Sequence, residues 1–258
     1  MAKREEQGAR VKSRRVAIDE AAVKSFFAHR HEKKLPYRLN YTNYQDAHPE
    51  LALARDAAEK ENILPLLALR PGMRVLDIGC GVGRWSRTVL AAGADYVGAD
   101  YTQSFLDLAA EAQPAGPHCA WVCADFRQIG SALQSAGIPT RFDRIFVNGV
   151  FVYLNDDDLP ACLSQVDQLL APGGMLYLKE SVARTTRLTL DGIYSEELAS
   201  DYSAIYRSIG EYAACWKAHL PAFRTLYEGE PWQDLAIREE TTAYAWILQK
   251  DGGHGCGI

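Results

Sequence analysis

Val75-Leu76-Asp77-Ile78-Gly79-Cys80-Gly81-Val82-Gly83-Arg84-Trp85 decides how this chain of 258 residues is read. Val75, Leu76 and Ile78 make a buried strand, three glycines follow at alternate positions, and residues 85–92 carry the apolar helical spacing Trp85, Val89, Leu90. A strand, a glycine turn and a helix start form a nucleotide-binding corner. Glycines let the backbone approach a ligand closely, and the first helical turn offers N–H groups without intrahelical partners. A dinucleotide fingerprint, G-x-G-x-x-G, wants a small residue at its sixth place for close helix–strand contact. Counted from Gly79 that place is Arg84, which argues against a dinucleotide.

Outward from this corner, strand and helix alternate. Strands are predicted at 74–78, 95–99, 120–123, 144–147 and 175–179, with helices at 85–92, 102–113, 128–136 and 157–170 between them. Such alternation predicts a parallel sheet with helices on both faces. Two further strands are read at 223–227 and 240–250. Ser208 and Glu211 form a capping-box pattern for a helix running to about residue 219. Residues 1–15 are basic and read as a disordered tail. Residues 16–67 read as a helical cap, 184–208 as a polar, tyrosine-rich insertion, and 251–258 as a flexible tail, so that 16–250 form a single domain. The stretch holding Tyr37, Tyr41 and Tyr44 is either a surface loop or a cap over the site mouth.

Composition excludes several classes. A hydrophobic content of 48% and a charged content of 24% suit a soluble enzyme, and a net charge of −5 supplies no basic excess for nucleic acid. No apolar run reaches membrane-spanning length, and the N-terminus lacks the apolar core of a signal peptide. The six cysteines are scattered without zinc-like pairs, so no metal site is expected and a reducing, cytoplasmic setting is.

In an open α/β sheet, ligands sit beyond the C-terminal ends of the strands. Those ends carry Gly79 and Gly81, then Asp100, Asp125, Asn148 and Glu180. Asp100 is placed to accept both hydroxyls of a ribose or to cap the following helix, a role Thr102 can also fill.

Taken together, the pattern Asp77-x-Gly79-x-Gly81-x-Gly83, Asp100-Tyr101, Asp125-Phe126, Phe142-Asp143-Arg144-Ile145 leading to Asn148, and Leu170-Ala171-Pro172-Gly173-Gly174 resembles the class I S-adenosylmethionine-dependent methyltransferases. The resemblance implies a Rossmann-like sheet of seven strands, mostly parallel, with an antiparallel last strand. It implies S-adenosylmethionine as cofactor and S-adenosylhomocysteine as product. It places Asp77, Gly79, Gly81, Asp100, Tyr101, Asp125, Phe126 and Asn148 at the cofactor. A finer likeness, to protein N-terminal amine methyltransferases, rests on Gly83-Arg84, Tyr153-Leu154-Asn155-Asp156, Lys179-Glu180 and Asp201-Tyr202-Ser203. It implies that Arg84 holds the cofactor carboxylate. Tyr153 and Asp201 are the nearest matches to that group's catalytic pair, and Glu180 is a further candidate proton acceptor.

The leading expectation is methyl transfer to N, O or C of a small metabolite, of the kind met in secondary metabolism, with Tyr37, Tyr41, Tyr44, Tyr202 and Tyr206 enclosing it. The alternative is a peptide or protein amine, reached through an acidic channel lined by Asp156, Asp157, Asp158, Glu196, Glu197 and Asp201. A non-catalytic cofactor-binding scaffold would show a damaged glycine motif, which is intact here.

Overall fold

Val75, Leu76, Asp77 and Ile78 are buried one after another, which a strand permits only when both faces of its sheet are covered. The computed structural model describes residues 8–43, 47–233, 235 and 238–252. Tyr44, residues 1–7 and residues 253–258 lie outside the described residues. In chain order the elements are β1 (Ala9–Lys12), α1 (Glu20–Arg30), α2 (Glu50–Leu67), β2 (Arg74–Ile78), α3 (Ser86–Ala91), β3 (Asp95–Asp100), α4 (Gln103–Ala112), β4 (Cys119–Cys123), α5 (Ile129–Ser135) and β5 (Phe142–Asn148). They continue with α6 (Leu159–Leu169), β6 (Leu170–Ala183), β7 (Leu188–Ser195), β8 (Ser200–Tyr206), α7 (Ile209–His219), β9 (Phe223–Gly229) and β10 (Thr241–Lys250).

The main sheet has the order β4-β3-β2-β5-β6-β10-β9, and β10 alone runs against its neighbours. This is the Rossmann-like seven-stranded sheet that the sequence predicts. Leu76, Ile78, Val147 and Leu178 face α5, α6 and α7, whereas Val75, Tyr96, Phe146 and Tyr177 face α2 and the turn into α3. Each such fully buried side chain contributes roughly 1.5–3 kcal/mol of transfer free energy. From β2 the chain steps outward through β3 to β4, then returns to β5 on the other side. The switch point therefore lies between the ends of β2 and β5, where a crevice opens.

Two expectations need correction. Residues 9–12 are a strand: β1 pairs with Leu188–Asp191 of β7, and Arg10 and Lys12 are both ion-paired with Glu240. Arg10 and Lys12, which read as part of a disordered tail, thus share a carboxylate partner. The insertion 184–208 is the rest of a three-stranded sheet, β1-β7-β8. Its alternation supplies one apolar face, Leu188, Leu190, Tyr202, Ala204 and Tyr206, which packs with Val152 and Phe26. Its tyrosines are sheet residues rather than loop residues.

Gly79 has φ of +70°, and a Cβ there would lie 2.2 Å from Val150 Cγ2. A side chain in the left-handed region costs about 1–2 kcal/mol. Gly79→Ala is therefore expected to lower the free energy of unfolding by at least about 1 kcal/mol, seen as a lower denaturant midpoint at constant slope. An unchanged midpoint would mean that the turn has no such constraint.

Candidate functional site

The glycine turn is bound to the strand beside it. Gly79 and Cys80 donate their N–H groups to the Ala99 carbonyl at 2.8 and 3.0 Å. Gly81 N–H donates to Asp100 Oδ2 at 2.9 Å, and Asp100 Oδ1 accepts from Thr102 N–H at 2.8 Å. Asp100 therefore braces the turn and opens α4 together, and burial pushes its carboxyl up. Asp77 is buried beneath the turn, where Tyr96 Oη donates to it at 2.7 Å. Burial raises its carboxyl to about 6 against that hydrogen bond.

A cavity of about 260 Å³ opens over this corner, with Asp77, Gly79, Gly81, Asp100, Tyr101, Asp125, Phe126 and Asn148 all on its wall. α1 covers one side. Phe27 stands edge-on to Tyr101, Phe105 and Tyr153, at centroid distances of 6.1, 6.1 and 5.0 Å. Lys24 pairs with Asp125 at 3.1 Å, and Glu20 pairs with Arg127 at 3.1 Å. Arg127 also grips Asp125 with Nε and Nη2, at 2.9 and 2.8 Å, which holds that carboxyl well below the usual carboxylate range. The sequence marks Asp125 but not Lys24, Phe27 or Arg127. Their only signal is that Arg127 follows two places after Asp125, because α1 reaches the corner through tertiary packing.

Arg84 lies on the same wall but is engaged on its inner side. Its Nη1 bonds Asp56 at 2.9 Å and its Nη2 bonds Glu59 at 2.6 Å, both on α2. Glu59 also accepts from Tyr177 Oη at 2.7 Å and from Lys179 Nζ at 2.5 Å. Burial alone would push the Glu59 carboxyl up; Arg84 and Lys179 outweigh it and hold it at about 2. An arginine expected to reach a ligand carboxylate is thus already held by two carboxylates of the protein.

Glu180, expected as a proton acceptor, is a strut. Its Oε1 accepts from Val150 and Phe151 N–H, both at 3.0 Å, and its Oε2 accepts from Val152 N–H at 3.3 Å. Burial raises it to about 7 despite these three donors. Asn148 differs. Its Oδ1 and Nδ2 are buried on the cavity wall, and neither has a partner among the described residues. A buried polar atom left unpaired costs about 1–3 kcal/mol, so this amide marks a place for a ligand.

At the far side, Tyr153 Oη lies 2.9 Å from Tyr202 Oη, and Tyr206 Oη donates to Tyr202 Oη at 3.3 Å. All three tyrosines line the cavity. Phe26 of α1 meets Tyr202 of β8 edge-on at 5.8 Å, so the N-terminal segment and the small sheet join over the crevice. Other expected residues are not brought in. Asp201 is exposed, because it alternates outward from Tyr202 along β8. Tyr37 is 40% exposed, and Tyr41 Oη donates to the Lys33 carbonyl at 3.0 Å; neither lines the cavity. Of the acidic residues expected to line a channel, Asp156 pairs with Arg187 and Arg207, Asp158 with Arg127 and Glu197 with Arg238, and none of the six lines this cavity.

Residues 76–176 match the family described as a methyltransferase domain. Over this stretch the chain carries a methyltransferase domain. Phosphoethanolamine N-methyltransferase 1 of Triticum aestivum is 24% identical over 127 residues, 49% of this chain and 25% of that protein. The chain thus spans about a quarter of that relative's length. Demethylmenaquinone methyltransferase of Parafrankia is 32% identical over 154 residues, 55% of this chain and 59% of that one. Among solved structures, 1,6-didemethyltoxoflavin-N1-methyltransferase of Burkholderia thailandensis, with S-adenosylhomocysteine bound, superposes with a TM-score of 0.63. It has 18% identity, covering 97% of this chain and 98% of that one, and at that identity the likeness is one of fold. No helix among the described residues of this chain is long and apolar enough to cross a membrane.

A carboxylate whose folded value is depressed adds stability above its ordinary value, lost as pH falls through the folded one. For Glu59 that window runs from 4.5 down to about 2. Glu59→Ala leaves Arg84 and Lys179 buried without their shared anion and is expected to cost about 3–5 kcal/mol of stability. Unfolding curves at pH 7 and pH 3 check this: the difference between wild type and variant should shrink at the lower pH. An equal difference at both values would mean that Glu59 is not the group titrating there.

Proposed function

We propose that this chain transfers the methyl group of S-adenosylmethionine to a nucleophilic atom of a small metabolite held beneath α1 and the small sheet. The carrying observation is the single cavity that joins the glycine corner to the Tyr153, Tyr202 and Tyr206 hydroxyls. The donor set fits the cofactor. Asp100 offers its carboxylate beside the turn for the ribose diol, Tyr101 and Phe126 offer rings for the adenine, and the Asn148 amide offers an unpaired donor and acceptor. When bound, the cofactor supplies a methyl group already activated on a sulfonium.

The protein's share of the work is then placement of an acceptor within about 3–3.5 Å, in line, with water excluded. Tyr202 is pushed well above the usual phenol range by burial and by Tyr153 and Tyr206, so it stays neutral and acts as a hydrogen-bonding group. The described cavity carboxylates, Glu20, Asp56, Glu59, Asp77, Asp100, Asp125 and Glu180, are each bonded to the protein. We therefore read the acceptor atom as one with an available lone pair, oriented by Tyr153 rather than deprotonated by a side chain. The relatives' names, phosphoethanolamine, demethylmenaquinone and didemethyltoxoflavin, do not agree on an acceptor. Against the peptide-amine reading, Asp156, Asp158 and Glu197 are each paired with an arginine and stand off the cavity wall. The buried thiols of Cys80, Cys119 and Cys162 suit a cytoplasmic setting.

Calorimetry is expected to show micromolar binding of S-adenosylhomocysteine and none of NAD; the reverse would overturn the reading. Asp100→Ala removes hydrogen bonds to a charged acceptor, about 1.5–3 kcal/mol, and should weaken S-adenosylhomocysteine binding roughly ten- to a hundredfold. Unchanged affinity in a folded variant would return Asp100 to bracing the turn. Tyr153→Phe keeps the ring and should lower kcat/KM for the acceptor about tenfold at unaltered cofactor affinity, since one neutral hydrogen bond is worth about 1 kcal/mol. Turnover is read as S-adenosylhomocysteine released across a panel of small acceptors and a peptide with a free N-terminus. Release with the peptide alone would favour the peptide-amine reading.

A further inference from the structure

The cavity has a second end with a chemistry of its own. Asp100 sits on β3, whereas Ser181 on β6 and Thr241 on β10 line the opposite side, three and four strands away. At about 4.8 Å per strand that separation is roughly 14–19 Å, long enough to leave an acceptor-sized space beyond the adenosine corner. Arg55 of α2 and Arg238 both reach this end. They are close enough to repel one another, and that repulsion, after burial, lowers Arg55.

The charges at this end do not cancel. Asp56 and Glu59 are engaged by Arg84, Lys60 and Lys179. Arg55 donates to a neutral group, the Leu235 carbonyl, and stands 5.7 Å from the centroid of Trp232, whose other neighbour is Lys179 at 5.3 Å. Arg238 has a carboxylate partner in Glu197, but at 3.7 Å and with its side chain 43% exposed. Two guanidiniums and several hydroxyls thus face one cavity, with Glu197 loosely held at the rim and Glu239 and Glu240 in the adjoining hollow rather than on the cavity wall. A second hollow, of about 340 Å³, shares Tyr206, Arg238 and Thr241 with this end and is lined further by Arg10, Glu239 and Glu240, of which Glu240 is ion-paired with Arg10 and Lys12.

We propose that this end is an anion subsite: the acceptor carries a carboxylate or phosphate, held by Arg55 and Arg238, while its nucleophile points back toward the glycine corner. The subsite rests on the methyltransferase reading above. Guanidiniums present paired N–H donors that match the oxygens of either group, so both sources share one chemistry. Displacing Glu197 is the cost of entry.

The test uses the full chain saturated with S-adenosylhomocysteine and three probes that share one ring: 4-hydroxybenzoate, phenyl phosphate and phenol. Calorimetry should show at least one of the two acids binding tenfold or more tightly than phenol, and which acid binds better identifies the source. Arg238→Gln should remove that advantage and Arg238→Lys should restore part of it, with S-adenosylhomocysteine affinity unaltered in both. Arg55→Gln should act in the same direction. If S-adenosylhomocysteine binds and neither acid exceeds phenol, or if Arg238→Gln leaves the preference intact, the subsite is overturned and the methyltransferase reading stands. If S-adenosylhomocysteine itself does not bind, it is the methyltransferase reading that fails.

Discussion

One buried carboxylate, Glu59, holds together three parts of the chain that are remote in sequence. It ties α2 to the glycine turn through Arg84 and to β6 through Tyr177 and Lys179. A fully buried anion is tolerated only where opposite charges and hydrogen bonds repay its lost hydration. Here both requirements fix geometry as well as energy. Arg84 cannot move without exposing an unpaired charge, so the helix that starts at the turn is locked to the helix before the sheet. The wall of the cavity inherits this rigidity. Asp77 on the same face, held by Tyr96, extends the locked polar layer under the turn.

The opposite face of the sheet repeats the principle with backbone donors. Glu180 gathers three consecutive N–H groups, Val150 to Val152, and so fixes the short turn that presents Tyr153. Arg207 works beside it, donating to the Phe151 and Leu154 carbonyls, both at 2.7 Å. The loop after β5 is thereby satisfied on its N–H and its C=O sides, which a buried loop requires. Asn148 stands between these two braced regions with its amide unpaired, and the contrast with its fully bonded neighbours is what singles it out.

The roof is bound differently from the walls. α1 meets the corner through partly exposed ion pairs, Lys24 to Asp125 and Glu20 to Arg127, and through aromatic edges around Phe27. Exposed pairs of this kind are individually weak and are screened by salt. The charges that hold the walls are buried and those that hold the roof are partly exposed, while Val23 and Phe27 of α1 add a buried apolar contact with Val82, Phe105 and Ile205.

Much of this was legible in the residues alone. The run Val75 to Ile78, the glycines after it and the alternation that follows point to a parallel sheet buried on both faces, because helices between successive strands cover both of its faces. The strand ends then named Asp100, Asp125 and Asn148. The sequence could not show that Arg84 turns to Glu59, that Glu180 serves the backbone, or that Asp201 faces outward. Spacing says which side chains share a strand end, whereas partners are chosen by elements that arrive from elsewhere in the chain. β1 was hidden for the same reason: four residues, two of them basic, become a strand only because the edge of β7 and Glu240 lie beside them. Short-range pattern determined the scaffold and its ligand-bearing edge, and tertiary packing decided which charges at that edge were already paired.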